Sequence, residues 1–174
     1  MSIIDKINKY ENILEHENVP YEDKLLIKNK FKKILTKIQE KKNNYITMFN
    51  DISIGLCNML YEKYPTTINK LSREMFIKII KDNKNDPINM FFDNVYVNEI
   101  HRNSILDGSY FKNIHSIKID NEIFVKCKSY WSELNNEYRH YIEQSIKTMI
   151  EITSEYIISI NHIFRINSIL DKCE

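Results

Sequence analysis

Apolar residues recur along most of the chain at steps of three or four positions, the period of an amphipathic α-helix. The clearest run follows Asn135 or Asn136, either of which can cap a helix that extends to about residue 170. The apolar stripe of this helix contains Tyr138, Ile142, Ile146, Met149, Ile150, Ile157, Ile160 and Phe164. The pattern predicts an all-α protein, an irregular bundle of about five or six helices that ends in a long helix.

Shorter runs precede this helix in the N-terminal third of the chain. Ser2 can cap a helix over about 3–17. A lysine-rich helix over 20–42 is followed by a more apolar one over 44–63, and the two are predicted either as separate helices or as one continuous helix. Pro65 ends this stretch.

The middle of the chain carries two more helix signals and one ambiguous segment. Thr66 or its neighbour can cap a helix of about 68–82, and Asp86 followed by Pro87 favours a short helix near 87–98. The inward face of the first of these helices is predicted to contain Ile68, Leu71, Met75, Phe76 and Ile79.

The helical period fails between 102 and 116, where Asp107 and Gly108 mark a turn. Residues 117–125 then have the form of a small β-hairpin with a two-residue turn. A helix that runs on into Tyr130 and Trp131 would also fit this segment.

The last helix carries more apolar residues toward its C-terminal end than one face can hold. Several of them point away from the stripe, and a helix that is apolar all round is either central in its own fold or buried by a partner. The candidate partner interface comprises Ile158, Ile163, Ile166, Ile169 and Leu170.

Composition bears on origin and on domain count. The chain holds 31 Ile, 21 Asn and 21 Lys but no Ala, the best helix former, so the bias indicates AT-rich codons rather than a folding preference. With 43% hydrophobic and 28% charged residues the chain is globular. We expect one helical domain over 1–174, in which 1–19 is either an integral part or an N-terminal arm.

The same numbers exclude several classes of site. Two glycines cannot build a phosphate-cradling loop or a dinucleotide fingerprint, and three widely spaced cysteines make neither a disulfide framework nor a thiolate zinc site. Glu137 and His140 have the spacing of a di-iron ligand pair, but no second such pair exists and a solvated helix face is favoured. We therefore expect a protein that is not an enzyme and has no catalytic residues, metal or cofactor.

Targeting signals are also missing from the sequence. The N-terminus lacks an apolar leader, which predicts that the protein is not secreted. The most apolar stretch, 156–170, is too short and too polar to span a bilayer, so no membrane partner is expected.

Charge is uneven although the net charge is only +1. Residues 20–42 carry eight lysines against three acidic residues. At 100° per residue, one flank of the apolar stripe holds Lys30, Lys33, Lys37 and Lys41, and the other flank holds Lys24, Lys28, Lys32 and Lys42. The first four are the candidate nucleic-acid contacts, although lysines that border a core stripe are also typical of a solvated helix.

The middle and end of the chain resemble a known group of proteins. The features that carry the likeness are Tyr64-Pro65, the run Asp86-Pro-Ile-Asn-Met-Phe-Phe-Asp-Asn-Val-Tyr96, Tyr110-Phe111, Tyr130-Trp131-Ser-Glu-Leu134, Tyr141-Ile142 and Met149-Ile150. In this order they resemble small uncharacterised proteins of the nucleocytoplasmic large DNA viruses, or giant viruses, over about 45–152. The resemblance implies a viral origin and a place in the cytoplasmic viral factory of the host or in the virion, and it carries over no site residues.

Three functional hypotheses follow. The first is a non-enzymatic helical viral protein that acts through protein–protein contacts, with a protein partner or as a homo-oligomer, as a virion component or assembly factor. The second is a nucleic-acid-associated accessory protein that uses the Lys-rich helix 20–42. The third is a host-directed, Bcl-2-like helical protein, which has suitable size and class although no Asn-Trp-Gly-Arg-like groove motif and no apolar tail are found.

Overall fold

We describe a computed structural model, which defines residues 2–16, 18–112 and 131–174 of the chain. Over these residues the backbone forms seven α-helices and one π-helical segment, and no strands, so the predicted all-α class and the long C-terminal helix are confirmed. The helices are α1 (Ile3–His16), α2 (Tyr21–Lys63), α3 (Thr67–Asp82), α4 (Asp86–Phe91), the π-helical segment (Phe92–Tyr96), α5 (Glu99–Leu106), α6 (Ser109–Lys112) and α7 (Asn136–Lys172). The segment 117–125, predicted as a hairpin or a helix, lies outside the described residues.

Side chains at the predicted capping positions begin three of these helices. The Ser2 hydroxyl accepts a hydrogen bond from the Asp5 backbone N–H at 3.1 Å, and the Ser2 N–H donates to the Asp5 carboxylate at 2.8 Å. Thr66 accepts in the same way at the start of α3, and Asn135 accepts from the Tyr138 N–H at 2.9 Å before α7. Because the first amides of a helix have no partner within it, these side chains fix where each helix begins.

The helix α2 is continuous over 43 residues, in agreement with the second of the two predicted alternatives. Gly55 stands about two turns before its C-terminal end without breaking it. A Cβ atom at Gly55 would lie 3.1 Å from the hydroxyl oxygen of Tyr141 on α7. Glycine therefore serves here for close approach of a neighbouring side chain rather than for an unusual backbone conformation.

The prediction that helical structure fails over 102–116 is wrong for much of that segment. α5 and α6 occupy part of it, but they have only eight and four residues, which is too short to display a helical period. The predicted turn between them is present: Gly108 has a φ of 81°, in the left-handed region that favours glycine.

The chain divides into two compact units, which we call the terminal unit (Met1–Asn44 with Glu155–Glu174) and the central unit (Tyr45–Ser154). In the terminal unit, α1 packs with the N-terminal part of α2 and the C-terminal part of α7. The core of this unit contains the buried side chains Ile7, Ile27, Phe31, Ile38, Ile166, Ile169 and Cys173. α1, which lies in the segment considered as an N-terminal arm, thus contributes Ile7 to the core.

Polar side chains join α1 to α7 along the surface of the terminal unit. The Arg165 guanidinium donates to Asn8 Oδ1 at 2.7 Å and to Glu11 Oε1 at 3.0 Å, and a further bond joins it to the second Glu11 oxygen. The Glu11 carboxylate raises the pKa of Arg165. One turn farther along α1 and two turns farther along α7, Lys172 Nζ lies 2.6 Å from Glu15 Oε1. α1 and α7 are therefore linked at two successive levels.

The central unit has its own aromatic and aliphatic core. Phe49 of α2 meets Phe91 of α4 edge to face with ring centroids 5.3 Å apart, and Phe111 stacks on Trp131 at 5.5 Å. Fully or almost fully buried residues include Ile46, Leu56, Leu60, Ile88, Val95, Ile105, Tyr110, Leu134, Ile142, Ile146, Met149 and Ile150. The first half of the stripe predicted for α7 therefore lies in a core.

Candidate partner-binding groove

The helix α3 of the central unit is the most incompletely buried long helix in the described part of the chain. None of its apolar side chains that the structure describes is fully buried, and the side chain of Ile68 lies outside that description. Leu71 and Met75, predicted to face inward, are 59% and 50% exposed. Phe76 and Ile79 are half-buried. The prediction of the inward face is therefore wrong for Leu71 and Met75.

An apolar cavity of about 100 Å³ lies beneath α3. Its walls are formed by Phe49, Ser53, Cys57 and Leu60 of α2, by Asn69, Ser72, Arg73, Met75, Phe76 and Ile79 of α3, by Pro87, Met90 and Phe91 of α4, and by Met149 of α7. An engineered cavity of roughly 150 Å³ that is lined by leucine, isoleucine and phenylalanine binds benzene. The cavity under α3 is thus of the order needed for one branched aliphatic side chain or part of an aromatic ring.

The cavity is bounded at the protein surface by exposed methionines. Met75 on α3 and Met90 on α4 both line it, and each is half exposed. Leu71 lies one helical turn before Met75 and is more exposed still. We call the surface formed by Leu71, Met75 and Met90, together with the cavity beneath the two methionines, the α3–α4 groove.

Several polar side chains line the cavity wall. Where the structure gives their contacts, most of them form hydrogen bonds with other groups of the protein. The Asn69 amide donates to the Tyr64 carbonyl oxygen at 2.8 Å, and the buried Ser53 hydroxyl donates to the Phe49 carbonyl oxygen at 2.9 Å. Arg73 donates through Nε to the side-chain oxygen of Asn58. The described lining residues include neither a carboxylate nor an imidazole. The apolar side chains of the wall suit binding of an apolar group.

The surroundings of the groove are basic. Residues 70–84 carry five basic side chains and two acidic ones. Of these, Lys70 lies 4.0 Å from Glu74 in an exposed pair, which contributes little to stability. Arg73 has no carboxylate within 4 Å among the described residues. An apolar groove thus borders a helix with a surplus of positive charge.

Sequence reasoning missed this groove, although one signal was available. At 100° per residue, Leu71 falls within about 60° of both Glu74 and Lys78 on α3. An apolar residue on the same side as two charged ones is expected to be exposed. The apolar residues of α3 cover too wide an arc for a single buried face.

The structure corrects the partner interface predicted on α7. Ile166 and Ile169 are fully buried in the core of the terminal unit, so they cannot contact a partner while this unit is folded. Ile163 and Leu170 are half-buried beside the same core, and only Ile158 of the five is exposed, at 42%.

The stripe predicted for the second half of α7 is wrong at its end. Phe164 is 75% exposed and Ile160 is also exposed, whereas Ile166 and Ile169 face inward. Periodicity alone could not choose between two apolar faces of one helix. The packing of α1 and α2 against the side that holds Ile166 decides which face is buried.

The four lysines predicted as nucleic-acid contacts are all exposed on α2. They are Lys30, Lys33, Lys37 and Lys41. The Lys30 ammonium lies 3.1 Å from the Tyr10 hydroxyl oxygen and 4.9 Å from the centre of the Tyr10 ring. The Lys30 side chain is therefore positioned by α1.

The described ranges show neither a metal-binding cluster nor a membrane-spanning helix. There, no group of three or more His, Cys, Asp or Glu side chains is placed to hold a metal ion, and Glu137 and His140 are exposed. None of the helices in that part of the chain is long and apolar enough to cross a membrane.

Comparison of the chain with protein-family models, with curated proteins and with solved structures gave no match. The resemblance to giant-virus proteins over about 45–152 therefore stays a prediction.

Proposed function

We propose that this protein is not an enzyme and acts by binding another protein, whose amphipathic helix docks in the α3–α4 groove. The observation that carries this proposal is the apolar cavity bounded by half-exposed Met75 and Met90. In helix-in-groove recognition, apolar side chains at helical spacing enter such a surface. One anchor fills the cavity, and neighbouring anchors contact Leu71 and the methionines.

The side chains of the groove are suited to this mode. Methionine is unbranched and polarizable, so Met75 and Met90 can adjust to the anchors of a helix. A single anchor that fills a desolvated pocket typically contributes 2 kcal/mol or more to binding, which is about a thirtyfold change in affinity or more.

Charge complementarity defines the chemistry of the partner. The basic surplus of residues 70–84 favours a helix that carries acidic residues on the flanks of its apolar face. Arg73 is suited to pair with one such carboxylate because its guanidinium can donate two parallel hydrogen bonds. A second copy of this chain is the alternative occupant of the α3–α4 groove. Self-association of the protein distinguishes this alternative from binding of another protein.

The test is selection of peptides of about 16 residues from a random library displayed on phage, with Met75→Lys as the matched variant. We expect enriched sequences with apolar residues at i, i+3 or i+4, and i+7, and with more acidic than basic residues. Their affinity, measured by calorimetry, should fall at least tenfold for Met75→Lys. Phe164→Lys, which places the same charge at an exposed apolar site of the terminal unit, should leave affinity unchanged.

Three outcomes would contradict the proposal. The first is that no peptide is enriched. The second is equal affinity of the selected peptides for wild type and Met75→Lys. The third is concentration-dependent self-association of the wild-type protein that Met75→Lys abolishes, because a second copy would then occupy the groove.

We also propose a viral setting, in which the protein is a virion component or an assembly factor of the infected cell. Its support is the resemblance over about 45–152 and the Ile, Asn and Lys bias of the chain. The groove residues fall inside the segment that carries the resemblance. Mass spectrometry of purified virions, beside a pull-down from infected cells, tests this setting, and absence from both preparations would contradict it.

A Bcl-2-like, host-directed role is a second candidate, favoured by an apolar groove in an all-α chain. Titration with BH3 helices, which are the ligands of such grooves, separates the two candidates. Binding that Met75→Lys removes would support the host-directed role, and no binding at 100 micromolar peptide would exclude it.

A further inference from the structure

We propose that the terminal unit carries a second, separate binding surface, which takes the phosphate backbone of a nucleic acid. This surface, the lysine face, is formed by Lys9 of α1 and by Lys30, Lys33, Lys37 and Lys41 of α2. Sequence periodicity placed the lysines of α2 on both flanks of an apolar stripe and offered the flank of Lys30 as the candidate contacts. In the structure Lys30 lies beside Tyr10 of α1, whereas Lys28 on the other flank pairs with Glu174.

Tyr10 of α1 brings the first two lysines of the face together. Its ring lies under both ammonium groups, at 4.9 Å from Lys30 Nζ and 6.0 Å from Lys9 Nζ. The same ring meets Phe31 edge to face at 5.4 Å, so a core residue holds it in place. Two positive charges from different helices are thereby kept on one side of the terminal unit.

The remaining lysines extend the face along α2. Lys30, Lys33, Lys37 and Lys41 fall within about 80° of one another at 100° per residue. At a rise of 1.5 Å per residue they cover about 16 Å of the helix. All four are exposed, and Glu40 is the only acidic residue between 24 and 42.

Pairing distinguishes this face from Lys28 and Lys172 of the same unit, whereas Lys24, Lys32 and Lys42 also have no carboxylate within 4 Å among the described residues. Lys28 lies 3.1 Å from the Glu174 carboxylate, and Lys172 pairs with Glu15. None of the five lysines of the face has a carboxylate within 4 Å among the described residues. Their charges are compensated by mobile counterions, and a polyanion that displaces such ions gains the entropy of their release.

The face fits a nucleic acid better than a membrane surface. A helix that binds in a membrane interface needs an apolar face to insert beside its charges. On α2 the stripe between the flanks is buried at Ile27, Phe31 and Ile38. The exposed apolar residues of this part of α2 are confined to its first two turns, at Tyr21, Leu25 and Leu26. Contacts of lysine with the phosphate backbone carry no sequence information, so we expect binding without sequence preference.

The experiment measures binding of the full chain to a fluorescent 20-base-pair DNA duplex of mixed sequence, and to single-stranded RNA of equal length, between 50 and 200 mM KCl. If all five lysines contact phosphates on the duplex, log K should fall with log salt at a slope of about −4.5, or about 500-fold over this range. The two probes show which nucleic acid binds more tightly.

Matched variants locate the binding surface. The triple variant Lys33→Gln, Lys37→Gln, Lys41→Gln should reduce the magnitude of the slope by about three. The triple variant Lys24→Gln, Lys32→Gln, Lys42→Gln removes the same charge from the opposite flank and should change the slope by less than one. Circular dichroism of both variants should match wild type, because all six residues are surface or half-buried lysines.

Several results would overturn the inference. These are an absence of binding by wild type at 50 mM salt, equal loss in the two triple variants, and binding to vesicles that contain phosphatidylserine but to neither nucleic acid. Met75→Lys, in the groove, should leave nucleic-acid binding no weaker than in wild type. The two proposals can therefore fail independently.

Discussion

The helices α1 and α3 are similar in length and in apolar content, but they are packed very differently. α1 has 14 residues, buries Ile7 completely in the terminal unit and bonds to α7 through two of its carboxylates. α3 has 16 residues, yet in the central unit it leaves Leu71 and Met75 exposed above a cavity. This contrast shows that an amphipathic pattern identifies the residues that can be buried. The neighbouring helices determine which of those residues are buried.

Two substitutions that remove a large apolar side chain, one in each unit, test this contrast directly. Phe31→Ala should destabilise the protein by about 3–5 kcal/mol, because it removes a fully buried ring from the terminal core. Leu71→Ala should cost less than about 0.5 kcal/mol, since that side chain is mostly exposed. Urea denaturation followed by circular dichroism gives both values. Similar losses for the two variants would mean that α3 is as firmly packed as α2.

A smaller effect tests how α1 is held. Arg165→Met should cost about 1–2 kcal/mol, because it removes charge-assisted hydrogen bonds to Glu11 and Asn8 while keeping much of the side-chain volume. Lys172→Met, which removes the more exposed pair with Glu15, should cost less than Arg165→Met. The same denaturation experiment compares them. The reverse order would show that the outer pair, rather than the Arg165 cluster, holds α1.

The next prediction concerns the central unit away from α3. Gly55→Ala should stabilise the protein by up to about 1 kcal/mol, because alanine favours helix and the Tyr141 hydroxyl can move aside from a half-exposed position. Thermal denaturation measures the change. In a Tyr141→Phe background the gain should be larger, since the crowding atom is absent. Destabilisation in both backgrounds would mean that the added methyl group is obstructed by atoms of the helices other than the Tyr141 hydroxyl.

His162 of the terminal unit should make a weak contribution to the pH dependence of stability. Burial and the nearby Arg165 lower its pKa, although Glu155 acts in the opposite direction. The unfolded chain therefore binds a proton at higher pH than the folded chain, so stability is lost as pH falls through about 6.5. His162→Gln should reduce the fall in melting temperature between pH 7.5 and 5.5. An unchanged or larger fall would contradict this assignment.

Much of the helical framework could be predicted because it depends on local chemistry. Caps at Ser2, Thr66 and Asn135 act within one helical turn, and the turn at Gly108 needs only a residue that tolerates positive φ. The ends of α1, α3 and α7 lie within about two residues of those predicted.

The binding surfaces could not be predicted to the same degree, because they depend on packing between distant parts of the chain. Both faces of the end of α7 are apolar, so the sequence could not show that Ile166 is buried while Phe164 is exposed. The lysines of α2 were identified as candidates, but the contribution of Lys9 depends on Tyr10 lying beside α2.

The shallow burial of α3 also bears on how this protein can evolve. Substitutions at exposed positions such as Leu71 and Met75 change stability little, so they are not removed by selection for folding. The recognition chemistry of the α3–α4 groove can therefore drift, and adapt to a changing partner, while the tightly packed core that includes Ile7 and Phe31 keeps the terminal unit folded. A helix that packs poorly is in this sense a region free to vary.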